Sequence, residues 1–212
     1  MNGENSAIES VTSYGTDAYL VRARDPDDVA NLLAAIDERA PEHPALREAH
    51  AGERSILVRF DPAGTGAREI GDLLARLTPR HQPNANSTIT LPVRYDGPDL
   101  AIVADAANLS AEAVVAMHQQ ATYRVAFCGF APGFAYLTGL PEQLHLPRRD
   151  SPRTLVPQGS VAIAAHYCAV YPSSSPGGWL LIGTCATTLF DPAAAPPALL
   201  APGTTVTFEA TT

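Results

Sequence analysis

The amino-acid sequence predicts an α+β protein of two domains, a small α/β sandwich over residues 1–85 and a β-barrel over residues 86–212. Three observations carry that prediction. Strand-like and helix-like hydrophobic periods alternate in the first part of the chain. A polar, turn-forming segment, His81–Ser87 (HQPNANS), then interrupts it. From Tyr123 onward, short β-rich runs are separated by Pro and Gly turns, as in a compact barrel.

Residues 17–23 (DAYLVRA) and 55–60 (SILVRF) alternate apolar and polar positions and are rich in β-formers, so each reads as a strand. Asp25-Pro26 opens a stretch with Val29, Leu32, Leu33 and Ile36 at helical spacing, and Ile70, Leu73, Leu74 and Leu77 repeat the pattern. Past the polar segment, Thr88–Arg94 reads as a strand. Two helical stretches follow at 99–107 and 111–121, the second with Ser110 as its N-cap. Strands are expected at 123–128, 160–165, 168–171, 179–182 and 204–209, with the Ala/Pro-rich stretch Pro192–Pro202 as a stiff loop before the last one. No internal repeat is visible.

Composition narrows the chemistry. A chain of 212 residues with 46% apolar composition can bury a real core. Its net charge of −8 argues against nucleic acid or an anionic membrane as the main partner. The sequence has no basic N-terminal start and no run near the roughly 18 apolar residues a membrane span needs, so it reads as a soluble, cytoplasmic protein. All 14 basic residues are arginine. Without lysine there can be no Walker-type phosphate lysine, Schiff base, Ser–Lys amidase centre or biotinyl-lysine in this chain. Cys128, Cys168 and Cys185 match neither a zinc knuckle nor a redox pair and read as buried free thiols.

Three segments stand out as chemistry-bearing. Tyr123–Leu137 (YRVAFCGFAPGFAYL) groups five aromatic residues around Gly129, Pro132 and Gly133. Pro132-Gly133 suits the centre of a type II turn that projects Phe130 and Phe134, which either line a site or fill the barrel. Leu146–Ser160 (LPRRDSPRTLVPQGS) places Arg148, Arg149 and Arg153 on a proline-stiffened loop. Arginine's planar fork suits a carboxylate or phosphate; the alternatives are a solvated basic loop, or neutralisation of one arginine by Asp150. Tyr171–Gly183 (YPSSSPGGWLLIG) sets Gly177 and Gly178 against the sole tryptophan, Trp179, and permits close approach of a ligand or backbone. His118 falls in a helical pattern and is either a half-buried core histidine or, functionally, a general base or anion-binding donor. His145 and His166 form no ligand spacing with it, so no metal site is expected.

Taken together, VVAMH (114–118), GFAPGFAYL (129–137), LPRRDSPRTLVPQGSVAIA (146–164) and YPSSSPGGWLLIG (171–183) resemble the family that includes the bacterial 5-oxoprolinase B subunit, the so-called allophanate hydrolase subunit 1 and the Kip inhibitor of a sporulation histidine kinase. The resemblance implies a cyclophilin-like C-terminal barrel, a larger homologous partner of the C type, and a third, lactam-handling partner of the A type. It also implies ATP-dependent opening of 5-oxo-L-proline to glutamate by the assembly, with ATP shared with or held by the partner and little activity in this chain alone. Within the matching strings the expected site residues are His118 as the catalytic group, and Phe130, Pro132, Gly133, Phe134, Tyr136, Arg148, Arg149, Arg153, Ser160, Tyr171, Gly177, Gly178 and Trp179 as the substrate- or anion-binding set. The chain departs from the family at Thr184-Cys185-Ala186, where Arg-Thr-Pro is usual, and at His166-Tyr167-Cys168, in place of a more polar turn. Other readings are a carboxyltransferase-type component of urea or allophanate metabolism, a regulatory inhibitor of a histidine kinase, and, by fold analogy alone, a peptidyl-prolyl isomerase.

Overall fold

The structure, a computed structural model, describes residues 7–26, 28–63, 67–79 and 88–211. The chain divides into two compact units, Met1–Pro83 and Asn84–Thr212. The expected boundary at 85/86 and the turn-forming segment before it lie outside the described residues.

In the first unit, β1 (Ile8–Ser13), β2 (Ala18–Ala23), β3 (Leu46–Ala51) and β4 (Ser55–Phe60) form an antiparallel sheet in the order β1-β2-β4-β3. Helices α1 (Asp28–Arg39) and α2 (Ala67–Ala75) share one core with it. Val29, Leu32 and Ile36 of α1 and Ile70 and Leu74 of α2 pack on Val21, Ile56, Val58 and Phe60, so the helical spacing in the sequence becomes the buried face of each helix. The edge strands β1 and β3 escape the sequence reading because IESVTS and LREAHA are largely polar; both pair through backbone groups that any residue supplies.

The second unit begins with β5 (Thr88–Val93), α3 (Leu100–Ala107) and α4 (Ala111–Gln120), the last capped by the Ser110 hydroxyl, which accepts from the Ala113 amide at 3.2 Å. There follow β6 (Tyr123–Cys128), β7 (Ala135–Thr138), β8 (Arg153–Val156), β9 (Ser160–Ala164), β10 (Tyr167–Val170), β11 (Ser175–Gly177), β12 (Leu180–Thr184) and β13 (Thr205–Ala210). Seven strands run β12-β9-β10-β7-β6-β13-β5, with only β13 and β5 parallel, and β8 pairs with β11 apart from them. The two edges of the large sheet meet where Arg94 and Thr184 exchange backbone hydrogen bonds of 2.9 and 2.7 Å. A mixed, nearly closed barrel results, as the sequence predicts. Leu91, Val93, Leu137, Ile163, Ile182 and Phe208 fill it, and Val114 and His118 of α4 plug it.

Candidate functional site

The 129–134 loop folds as its residues dictate. Phe134 N–H donates to Ala131 O at 3.0 Å around Pro132-Gly133, with Gly133 at φ 80°, the expected type II geometry. Just before it, Ala131 N–H donates to Gly129 O at 2.9 Å, a three-residue turn that holds Phe130 at φ 70°. A bulky residue pays on the order of 1–2 kcal/mol for that conformation. Phe130 is nevertheless 63% exposed, so burial of its ring does not offset the strain. A strained, exposed phenyl ring at a pocket rim makes this loop a candidate for ligand contact.

Behind Phe130 stands a cluster of rings. Phe134 is buried, and its ring meets Phe130, Tyr136, Tyr171 and Trp179 at 5.0–5.7 Å between centroids, at steep angles. Tyr136 pairs across the sheet with Phe127, their rings stacked at 4.3 Å. Gly177 belongs here because of close approach: a Cβ there would lie 2.4 Å from the Tyr171 hydroxyl. Phe130, Phe134, Tyr136, Tyr171, Gly177, Gly178 and Trp179 enclose a pocket of about 80 Å³ together with Arg148 and Pro176. Its size suits a carboxylate or a similar small group.

The three loop arginines divide by partner. Arg148 is exposed, makes no ion pair among the described residues, and lies 5.9 Å over the Trp179 ring. Arg149 and Arg153 instead both bind Oδ1 of Asp99, at 3.0 and 2.8 Å. Asp99 is 1% exposed and its Oδ2 accepts the Leu181 amide at 2.7 Å. Burial acts to raise the Asp99 pKa, but Arg153, the Leu181 amide and Arg149 outweigh it and hold the carboxyl below its ordinary value. The expectation of anion binding by Arg149 and Arg153 is therefore corrected. Their anion is internal, and it ties the arginine loop to the start of α3 and to β12. Sequence reasoning missed Asp99 because it sits about fifty positions upstream, at the start of the expected 99–107 helical stretch; Asp150, the partner the sequence suggests, makes no such bond.

His118 also leaves the site. It is fully buried in the barrel, with Nδ1 2.8 Å from the Tyr95 hydroxyl, Nε2 3.3 Å from Cys168 Sγ, and its ring against Tyr123 and Phe208. Burial pushes its pKa down to about 3, so the imidazole is neutral, and nothing from solvent reaches it. This is the satisfied core histidine, not a general base. Ser160 is buried too, its hydroxyl donating to Pro157 O at 2.8 Å. Pro132 and Gly133 shape the loop without lining the pocket, Gly133 packing against Leu189 and Phe190. Burial raises the Tyr171 pKa despite the opposing influence of Arg148 and Arg153, so its hydroxyl keeps its proton and can donate. All three cysteines are free, Cys168 and Cys185 buried and Cys128 partly so. Among the described residues no group of three His, Cys, Asp or Glu side chains is placed to hold a metal, and no single helix is long and apolar enough to cross a membrane.

Comparison with known proteins decides the family. The sequence profile of the family described as "Carboxyltransferase domain, subdomain C and D" matches residues 10–200. The chain belongs to this carboxyltransferase C/D family. Curated relatives include the 5-oxoprolinase B subunit of Escherichia coli O157:H7, 54% identical over 123 residues, and the protein of the same name from Haemophilus influenzae, 49% identical over 123 residues. Those matches cover 57% of this chain and 56% and 58% of the relatives' own lengths, a little over half of each. Among solved structures, PH0987 of Pyrococcus horikoshii, described as a conserved uncharacterized protein, is 36% identical across 95% of this chain and 97% of its own, with a TM-score of 0.58. TTHA0988 is 34% identical over 92% of this chain and 40% of its own, with a TM-score of 0.81. The urea amidolyase of Kluyveromyces lactis shares the fold over 100% of this chain and 15% of its own, at 19% identity and a TM-score of 0.73.

The positions that depart from the usual family strings are legible in the structure. Thr184 closes the barrel and its hydroxyl donates to Asp96 at 2.8 Å, while Cys185 is buried; neither lines the aromatic pocket. Tyr167 instead joins the ring cluster behind it, 5.5 Å from Tyr136.

Proposed function

We propose that this carboxyltransferase C/D chain is one component of a multi-subunit, ATP-dependent 5-oxoprolinase, in which its aromatic pocket and Arg148 hold the carboxylate of 5-oxo-L-proline. The observation that carries the reading is the 49–54% identity to proteins named as the B subunit of 5-oxoprolinase. The pocket's chemistry supports it. A five-membered lactam is an unstrained amide that resists water until its oxygen is activated, for instance by phosphorylation, and its α-carboxylate offers a handle remote from the reacting carbonyl. Arg148 presents an uncommitted guanidinium fork for that carboxylate, Tyr171 keeps a hydroxyl proton to donate, and Phe130, Phe134 and Trp179 exclude water around them.

Nucleotide chemistry fits this chain poorly. The Gly177-Gly178 pair leads into strand β12 rather than into a helix N-terminus, and the sequence contains no lysine to reach a phosphate. We assign ATP to the larger partner and the lactam-handling step to a third component. The test is co-expression with the two partners and measurement of glutamate released from 5-oxo-L-proline with and without ATP. ATP-dependent glutamate formation by the assembly, absent from the isolated chain, supports the reading; equal turnover by the isolated chain contradicts it. The family description, a carboxyltransferase domain, favours one second reading, a carboxyltransferase-type component of urea or allophanate metabolism that would meet biotin carried on another protein. Bicarbonate- and biotin-carrier-dependent turnover in the same assembly would select it.

A further inference from the structure

A second cavity opens beside the first. It is a cleft of about 440 Å³ between α3 and the arginine loop, within the range of small-molecule sites and several times larger than the aromatic pocket. One wall is apolar: Ile102 and Ala106, one turn apart on α3, face Leu146 and Leu180. Ile102 is 49% exposed, a large aliphatic side chain that the fold leaves uncovered. The other wall is the loop itself, with Arg148, Arg149, Asp150 and Ser151.

The charge of this wall is under-compensated. Asp99 alone serves both Arg149 and Arg153, and Arg149 Nε and Arg153 Nη1 are buried without a hydrogen-bond partner. With Arg148 in no ion pair among the described residues, the cleft's Arg148, Arg149 and Asp150 together with the adjoining Arg153 and Asp99 leave roughly one excess positive charge. Arg148 lies on the rim of both cavities.

We infer that the α3 cleft is a second ligand site, for a compact monocarboxylate with an apolar body, and that its ligand draws Arg148 away from Trp179, so that the cleft and the aromatic pocket compete for one guanidinium. The ligand's apolar body covers Ile102, Ala106, Leu146 and Leu180, and its carboxylate takes the side chain of Arg148. A dianion or polyphosphate exceeds the single charge available, and a neutral molecule forfeits it. The site belongs to this chain and requires no turnover, so it stands or falls separately from the 5-oxoprolinase reading.

The experiment titrates cyclopentanecarboxylate into the full chain by calorimetry, following in parallel the fluorescence of Trp179, the only tryptophan. Saturable binding accompanied by a Trp179 signal is expected, with affinity about tenfold or more above that for cyclopentanecarboxamide, which lacks the charge, and for acetate, which lacks the body. Ile102→Glu and Ala106→Glu alter exposed positions, so folding survives, and each should abolish the titration. Ser110→Ala, at the α4 cap and in the lining of neither cavity, should leave it intact. Equal affinity for the acid and the amide, no heat with any carboxylate, or unchanged binding in both glutamate variants would overturn the inference. So would loss of partner co-elution in Ile102→Glu without any carboxylate binding by the wild type, which would make this face an interface with the partner.

Discussion

Removing the Asp99 carboxylate tests whether the arginine loop is held from inside. Asp99→Ala deletes the acceptor for Arg149, Arg153 and the Leu181 amide together. Breaking a buried ion pair from one side costs about 3–5 kcal/mol, because the partner charge stays behind. Here the arginine side chains are 32% and 23% exposed, so water recovers part of that, and about 2–4 kcal/mol is expected. At ~3–5 °C per kcal/mol for a unit of this size, the barrel should melt roughly 6–20 °C earlier. Trp179 fluorescence reads the transition because the only tryptophan lies in the barrel unit. Asp99→Asn keeps an acceptor for the amide and should lose about half as much. Because the folded-state pKa of Asp99 lies below its unfolded value, its stabilisation is fully present above about pH 4 and disappears as pH falls through the folded value. The gap between wild type and Asp99→Asn should therefore narrow in acid. An Asp99→Ala variant melting within about 2 °C of wild type, the range of an ordinary surface change, would refute the internal-clamp reasoning.

Other outcomes follow from the same geometry. His118 titrates near 3 when folded and near 6.5 when unfolded, so stability is full above about pH 6.5 and falls by roughly 1.4 kcal/mol per unit toward pH 3. Melting at pH 7.5 and 5 should show that slope in wild type and a flatter one in His118→Gln; identical slopes would remove the buried-neutral assignment. Gly177→Ala drives a methyl group into the Tyr171 hydroxyl, so 5-oxo-L-proline binding in the assembly should weaken with little change in secondary structure by circular dichroism. Undiminished binding would place Tyr171 outside the site. Ser110→Ala removes the α4 cap and should cost about 1 kcal/mol of barrel stability in a denaturant titration, with turnover unaffected.

How much of this was legible in the sequence depends on where each signal resides. Helices α1 and α2 were readable because Val29, Leu32 and Ile36, and Ile70 and Leu74, are local periodic patterns that burial then uses directly. The Pro132-Gly133 turn was readable for the same reason, since its φ requirements are local. Edge strands β1 and β3 were not, because IESVTS and LREAHA carry too little apolar alternation to signal a strand and pair through backbone groups that any residue supplies. The aromatic pocket was nearly complete in the sequence, lacking only Pro176, because its members lie in dense, unusual strings. What the sequence could not supply was the sorting of its cations. Arg148, Arg149 and Arg153 look alike on one loop, and only the distant Asp99 separates the two that serve the fold from the one that lies over Trp179. His118 was ambiguous because an apolar helix face looks the same whether the barrel behind it is filled or open.

The most direct measurement of the central assignment is 5-oxo-L-proline-dependent glutamate formation by the assembled complex carrying Arg148→Ala, Arg148→Lys or Phe130→Ala in this chain, with barrel melting recorded alongside. Arg148 makes no ion pair among the described residues and Phe130 is mostly exposed, so all three variants should melt close to wild type. Arg148→Ala should lose about 10- to 150-fold in kcat/KM, the worth of a charge-assisted pair, and Arg148→Lys should recover only part of it because the fork is lost. Full activity of a normally melting Arg148→Ala complex would contradict the assignment of Arg148 and the aromatic pocket as the carboxylate site.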